Sequence, residues 1–239
     1  MTSRTIAFVL FAALSAGCAS APPVAPPVVT WEQKLAAILR LEDTRVLRDP
    51  PAAAVVSVAP TRAPAVAPAV PPPDDLIRLV SDAEGRVRRR AALAIGRVGM
   101  VEGVDPLRSL LASDPEPEVR AMAACALCLI GGDAGAEALM TALADPEPVV
   151  QGRAAEALGL LGHAAAASRI AAMMAPRVES GALAGVAVDE LGWPLAPEVE
   201  AFRLGLYALV RLKAWDAAAA IVSRISPMRL FSVCIRLFK

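Results

Sequence analysis

The sequence has few of the residues that most catalytic and nucleic-acid-binding sites require. It contains one histidine, and aromatic residues make up only 4% of the chain. Its 24 basic residues are balanced by 24 acidic ones, so the formal net charge is zero. A site built on several histidines is therefore excluded, and nucleic-acid binding is not expected because it requires a strong positive balance and stacking side chains. After residue 18 no apolar run reaches the roughly 18 residues that a membrane-spanning helix needs.

The amino-terminal segment is typical of an exported protein. Arg4 supplies a short positive start, and residues 6–14 form an apolar stretch that is too short to span a bilayer. A short apolar stretch after a basic residue is the pattern of a secretory signal. We therefore predict a signal peptide at residues 1–17.

The end of this segment, Ala-Gly-Cys at Cys18, resembles the lipobox of bacterial lipoproteins, although Ser15 stands where leucine is favoured. The resemblance implies that Cys18 is lipidated and that residues 18–30 form a proline-rich spacer. It also implies a membrane anchor in the bacterial cell envelope, at the outer membrane facing the periplasm. Ordinary cleavage that leaves Cys18 as a free thiol is the alternative.

An amphipathic helix is predicted next, at residues 31–48. Its apolar stripe consists of Trp31, Leu35, Ile38, Leu39 and Val46. A proline-rich linker at residues 49–73 follows, and such segments adopt extended polyproline structure. Because the linker is long enough for the helix to dock far from its neighbour or to recognise another molecule, we predict an isolated helix and leave open whether it packs on the repeats. Its acidic residues Glu32, Glu42 and Asp43 are a possible partner for the basic cluster downstream.

Three copies of one apolar pattern follow the linker. They begin at Val87, Val119 and Val150, which lie 32 and 31 residues apart, and apolar residues recur 4, 7, 8 and 11 positions after each. This spacing forms one stripe on an α-helix, and a fixed period near 31 residues predicts stacked helical hairpins. We therefore predict an all-α fold, a short α-solenoid, with its repeats in residues 74–175.

The segments DPEPEVRAMAACALCLIG (residues 114–131) and DPEPVVQGRAAEALGLLG (residues 145–162) resemble HEAT-like repeats, particularly the bacterial type named after phycobilisome lyases. In that family a turn aspartate and an arginine form a ladder of hydrogen bonds between successive repeats. The resemblance implies ladder positions at Asp82, Arg88, Asp114, Arg120 and Asp145. Gln151 replaces the arginine of the third repeat, so the ladder is expected to be incomplete there.

The period breaks after residue 175. We predict an irregular insertion at residues 176–197 and a degenerate fourth repeat at residues 198–223. The tail, residues 224–239, has basic and apolar residues but no acidic ones, whereas a solenoid needs a polar outer face on its last helix. We interpret the tail as belonging to a truncated or altered chain. A basic amphipathic contact with a membrane or partner is the alternative, and self-association through this end is a third hypothesis.

No catalytic residue, metal site or cofactor is predicted. Cys125 and Cys128 form a CxxC pair, but they lie in the middle of a predicted helix, where the helix dipole does not activate a thiol. Cys128 aligns with Gly96 and Gly159 of the neighbouring repeats, which indicates a small residue at a close helix contact. The histidine, His163, follows a glycine stop, where a capping or exposed role is typical.

The sequence thus favours a non-catalytic scaffold that presents a helical surface to another envelope protein. The candidate partner-binding residues occupy exposed positions of the inner helices: Arg86, Arg89, Arg90, Met122 and Arg153. Three of them belong to a basic cluster that suits an acidic partner. An alternative rests on residues 31–43, which look like the start of envelope proteins that continue into a cyclophilin-type peptidyl-prolyl isomerase. The chain would then be the amino-terminal part of a folding enzyme.

Overall fold

The computed structural model describes residues 29–49, 75–183 and 195–225. The chain divides into two units, residues 1–30 and 31–239, and every described helix lies in the second. Within the described ranges the fold is all-α, which confirms the predicted class. The helices are α1 (Trp31–Thr44), α2 (Leu76–Leu79), α3 (Gly85–Val98), α4 (Val104–Ser113), α5 (Pro117–Ile130), α6 (Ala136–Ala142), α7 (Pro148–Leu160), α8 (Ala167–Glu179), α9 (Pro197–Arg211) and α10 (Trp215–Val222). The predicted signal peptide, Cys18 and the tail beyond residue 225 lie outside these ranges.

The helices form two layers. The odd-numbered helices make an inner layer in which α1, α3, α5, α7 and α9 each pack on the next, and the even-numbered helices lie outside them. One continuous apolar core runs between the layers, and its largest fully buried side chains include Ile95, Leu107, Leu158 and Phe202. Each hairpin thus buries its apolar face against its neighbours, as a solenoid requires.

The turns before the inner helices follow directly from their sequence. The carboxylates of Asp82, Asp114 and Asp145 each accept a hydrogen bond of 2.9–3.0 Å from the backbone N–H two residues later. Pro117 and Pro148 occupy the first helical turn, where no N–H donor is needed. These turns fix where each inner helix begins.

Small residues set the distance between inner helices. A Cβ atom added to Gly96 would lie 2.7 Å from the Cα atom of Ala126, and one added to Gly159 would lie 2.7 Å from that of Ala208. Backbones therefore meet at these points, and a larger side chain would push the repeats apart. Cys128 holds the equivalent position of α5, the twelfth residue of its helix.

The sequence predicted an isolated helix, but α1 packs on α3 as the inner helix of an additional hairpin. Ile38 and Leu41 are fully buried, and this burial outweighs the freedom that the long linker would give the helix. The helix ends at Thr44 rather than at residue 48, because Arg45 adopts a left-handed backbone conformation with φ of 55°.

The proline-rich segment leaves and rejoins the fold at one place. The backbone N–H of Leu76 donates a 2.7 Å hydrogen bond to the carbonyl of Leu47, and Arg48 and Asp75 form an antiparallel backbone bridge. Residues 50–74, which lie outside the described ranges, therefore connect two points that are in contact. They do not separate α1 from the repeats.

On the carboxyl side the helices extend beyond the predicted boundaries. Helix α8 continues through Pro176 to Glu179, so the third repeat is longer than predicted. Helices α9 and α10 form the hairpin of the fourth repeat. Among the described helices, none combines the length and the apolar character needed to cross a bilayer.

Candidate interaction surface

Two buried arginine forks join the central repeats. Arg88 donates to both carboxylate oxygens of Asp114, from Nε at 2.6 Å and from Nη2 at 3.0 Å. Arg120 donates to both carboxylate oxygens of Asp145 in the same way, from Nε at 2.9 Å and from Nη2 at 2.8 Å. A third donor of each arginine, Nη1, binds the carbonyl of its own turn aspartate, Asp82 or Asp114, at 3.0 and 2.8 Å. Each arginine thus ties its own turn to the turn of the next repeat.

In the Arg88–Asp114 pair, the hydrogen bonds outweigh the effect of burial on the pKa of each side chain. Burial alone would raise the pKa of Asp114, but the Arg88 fork and the backbone N–H of Glu116 hold this pKa below its ordinary value. The pKa of Arg88 is raised, chiefly by its hydrogen bonds to Asp114. Both side chains therefore remain charged, which makes the contact between repeats stiff and directional.

The ladder continues past Gln151 through a residue that the sequence did not reveal. The Gln151 side-chain amide donates to the carbonyl of Asp145, and its oxygen accepts from Arg177. The Nε atom of Arg177 lies 2.7 Å from a carboxylate oxygen of Glu198 in the first turn of α9. Because Arg177 is on the outer helix α8, repeat alignment of the inner helices could not find it. Burial lowers its pKa.

We call each cation–acid contact of the ladder a rung. In the first rung, the cation is a lysine. The Nζ atom of Lys34 lies 2.7 Å from the carboxylate of Asp82. Lys34 is the fourth residue of α1, just as Arg88 and Arg120 are the fourth residues of α3 and α5. This matching position was the sequence signal for the extra hairpin, and Ala37, which aligns with Ala91, supports it.

The chain itself occupies much of the predicted basic patch. Glu42 accepts hydrogen bonds from Arg90 and from Arg97, the latter at 2.7 Å. The guanidinium of Arg86 lies 4.3 Å from the ring centroid of Trp31 and donates to Glu84 at 2.6 Å. In the described part of the chain, Arg89 is the residue of this cluster that is exposed and has no ion pair. Arg90 is thus engaged by α1, whereas Arg86 contacts Trp31 but keeps 55% of its side chain exposed.

A second surface lies on the inner face of α5 and α7. Leu129 and Leu160 are 50% and 43% exposed, and each is the thirteenth residue of its helix. Met122 and Cys125 lie on the same face of α5 and are half-buried. Arg153 is also half-buried and pairs with Glu156 at 2.7 Å. We call this set of six residues the inner strip.

The outer layer offers shallower features. The groove between α4 and α6, with a volume of about 670 Å³, is lined mainly by small and polar side chains such as Ser109, Ala138 and Thr141.

Within the described ranges, no three His, Cys, Asp or Glu side chains lie close enough together to bind a metal ion. His163 is half-buried beside the 3₁₀ turn Ala164–Ala166 and has no cap hydrogen bond.

Comparison with known proteins agrees with this architecture. The family described as HEAT repeats matches residues 73–124 and residues 104–187. The solved complex of CpcE and CpcF of phycocyanin lyase from Nostoc sp. PCC7120 has a similar fold, with a TM-score of 0.51 and 20% sequence identity over 74% of this chain and 70% of that chain. No curated protein matches the sequence. The helical hairpins, the ladder and the family match together show that residues 73–187 form HEAT-like repeats.

Proposed function

We propose that this protein is a non-catalytic scaffold of the bacterial cell envelope and that it binds a protein partner through the inner strip. The observation that carries the proposal is the exposure of Leu129 and Leu160 at equivalent positions of neighbouring inner helices. Exposed apolar side chains that lie next to one another mark interaction sites more often than scattered ones do.

The ladder makes this strip a suitable binding surface. Arg120 and Asp145 hold α5 and α7 in a fixed relation through a buried fork, so little ordering is needed when a partner binds. The ion pair of Arg153 with Glu156 borders the apolar residues and supplies the polar rim that protein interfaces commonly have. The solved complex of similar fold contains two proteins, CpcE and CpcF, which also favours a protein partner.

The location in the envelope is supported by the sequence. The signal-like residues 1–17 and the lipobox-like Cys18 favour export and lipid attachment. Replacing Cys18 by serine should move the protein from the membrane fraction to the soluble periplasmic fraction. Incorporation of radiolabelled palmitate into the natural chain, and its loss in Cys18→Ser, is the measurement. A natural chain that takes up no label would exclude the anchor.

The scaffold role is tested by site-specific crosslinking in living cells. A photo-crosslinking amino acid at Leu129 or Leu160 should give one discrete adduct, whereas the same label at Val101 should not. Val101 is 72% exposed and lies in the turn after α3, outside the set of residues that forms the strip, so it controls for random collision. Leu160→Glu should abolish the adduct formed from position 129, and Val101→Glu should preserve it. Equal labelling from all three positions would contradict a specific surface.

A further inference from the structure

Exposed side chains form a row across the inner helices near their carboxyl ends. Arg97, Leu129 and Leu160 are the thirteenth residues of α3, α5 and α7. The side chain of Arg97 is 53% exposed, and the two leucines are exposed to a similar extent. Because each inner helix packs on the next, equivalent positions on them are neighbours. The leucines of the inner strip therefore have an arginine beside them on the α3 side.

Helix α9 continues the row with Arg211. The close contact that α3 makes with α5 at Ala126 recurs between α7 and α9 at Ala208, in each case against a glycine of the preceding inner helix. Ala126 and Ala208 are thus at corresponding positions. Leu129 follows the first of them by three residues, and Arg211 follows the second by three. Arg211 therefore takes the next place in the row, after Leu160.

The arginines at the two ends of these four residues are accessible to a partner. In the described part of the chain, Arg211 is exposed and has no ion pair. Arg97 donates from Nη1 to Glu42 at 2.7 Å, but about half of its side chain stays in contact with solvent. Asp43 is the thirteenth residue of α1, so the basic part of the row ends at Arg97.

The carboxylate one helical turn before Leu160 is already paired. Glu156 accepts a hydrogen bond of 2.7 Å from Arg153. It also lies close to Arg203 of α9, whose pKa is raised chiefly by hydrogen bonds to Glu200 and further by the charge of Glu156. Two arginines therefore compensate Glu156, and the charges that remain available beside the leucines are positive.

The row has the length of a short peptide segment. Packed helices lie about 8–10 Å apart, so the three steps from Arg97 to Arg211 cover about 24–30 Å. At about 3.3 Å per residue, an extended segment of about nine residues spans this length. Alternate residues of such a segment point to the same side. Two apolar side chains at its centre can therefore lie on Leu129 and Leu160 while its ends reach the arginines.

We propose that this row binds an extended segment of another protein that has carboxylates at both ends and apolar side chains between them. The inference rests on the proposed scaffold role and names the chemistry of the partner. Arginine pairs with carboxylates through two parallel hydrogen bonds, so Arg97 and Arg211 can each hold one. Leu129 and Leu160 bury the apolar centre. A segment with basic ends brings like charges together and is rejected.

Two fluorescent nine-residue peptides test the proposal with the purified full chain. Both have two leucines separated by one serine at the centre, and their ends carry glutamate in one peptide and lysine in the other. We expect the glutamate peptide to bind at least about tenfold more tightly at low ionic strength, as measured by fluorescence anisotropy. This difference should shrink as salt is added. Equal affinity of the two peptides, or no binding of the glutamate peptide, would overturn the proposal.

Charge reversal at one end of the row supplies a matched pair of variants. Arg211→Glu should weaken binding of the glutamate peptide about tenfold. Lys213→Glu makes the same change in charge at an exposed residue outside the row and should leave the affinity unchanged. Unfolding curves like that of the natural chain would show that both variants are folded. Equal losses in the two variants would mean that net charge alone governs binding, which would also overturn the proposal.

Crosslinking in cells from position 129 separates this inference from the scaffold role. The adduct should be lost in Arg211→Glu and kept in Lys213→Glu. A discrete adduct that Arg211→Glu leaves unchanged would preserve a protein partner for the inner strip but overturn its acidic character. The absence of any adduct from positions 129 and 160 would overturn the scaffold role, and the acidic partner with it.

Discussion

The two central rungs of the ladder differ from the two end rungs. Arg88 and Arg120 are inner-helix arginines that make matching forks with Asp114 and Asp145. At the amino end Lys34 is the cation that pairs with the acid. At the carboxyl end Gln151 accepts a hydrogen bond from Arg177 of the outer layer, and Arg177 is the cation. The comparison shows that an acidic residue at the start of the next repeat is the constant partner, although at the carboxyl end this residue is Glu198 in the first turn of α9 rather than a turn aspartate. Its cation can come from another residue type or, at the carboxyl end, from another helix.

The central rung should be the most costly to break. Arg88→Met leaves Asp114 buried, with 3% of its side chain exposed, and without its main partner. We expect the free energy of unfolding to fall by about 3–5 kcal/mol, as when one member of a buried ion pair is removed. Urea unfolding followed by circular dichroism measures this. The neighbouring exposed variant Arg89→Met should change it by less than about 0.5 kcal/mol, and equal losses would refute the central role of the fork.

The carboxyl end rung should have an intermediate effect. Arg177→Met removes the donor to Gln151 but leaves Glu198, which is 46% exposed, in contact with water. We expect a loss of about 2 kcal/mol, typical of a hydrogen bond to a charged group. Arg224→Met, which removes an exposed pair with Glu179, is the control and should cost at most about 1 kcal/mol. A smaller effect for Arg177 than for Arg224 would mean that the ladder ends at Gln151.

The amino end rung should be weaker again. Lys34→Met deprives Asp82 of a single point charge, and we expect a loss of about 1 kcal/mol in thermal or urea unfolding. Lys34→Arg should keep or raise the stability, because arginine occupies the equivalent place in the next two repeats. If Lys34→Arg proved as harmful as Lys34→Met, the equivalence of these positions would be wrong.

The smallest effect is expected in the pH dependence of stability. Burial opposes ionisation of Glu42, but hydrogen bonds from Arg97 and Arg90 hold its pKa below 4.5. A carboxyl group whose pKa is lower in the folded state than in the unfolded state stabilises the fold at pH values above its unfolded pKa. This contribution is lost as the pH falls through the folded pKa. Glu42→Gln should therefore flatten the decline in stability below about pH 4.5 and cost about 1 kcal/mol or less at pH 7. Unfolding curves at several pH values would show this, and parallel curves for both proteins would count against the Glu42 bridge.

The regular part of this fold was predictable because it repeats. The stripe that begins at Val87, Val119 and Val150 and the acidic turns before it fixed the inner helices, since burial and capping act within each repeat. The extra hairpin was missed because Lys34 is a different residue type from arginine and because a long segment follows α1. Arg177 and Glu42 act across layers and across 48 residues of sequence, a distance over which local pattern carries no signal.

The exposed inner strip was only partly predictable for a related reason. Met122 and Arg153 were predicted to be exposed from their helical positions and are half-buried, while the exposed Leu129 and Leu160 were not predicted. Arg86 and Arg90 were also predicted to be exposed, but both contact α1. Helical periodicity indicates which side of a helix is exposed. It does not indicate whether another part of the chain covers that side.

The contact between Leu47 and Leu76 makes the fold tolerant of changes in the segment that it closes. Because the two ends meet, the chain pays for closure once, and each doubling of the length of residues 50–74 would add only about 0.6 kcal/mol of entropy. A protease site, an epitope or a whole folded domain could be inserted there while Lys34 still reached Asp82. Cleavage in that segment would then yield two fragments held together by the α1–α3 interface.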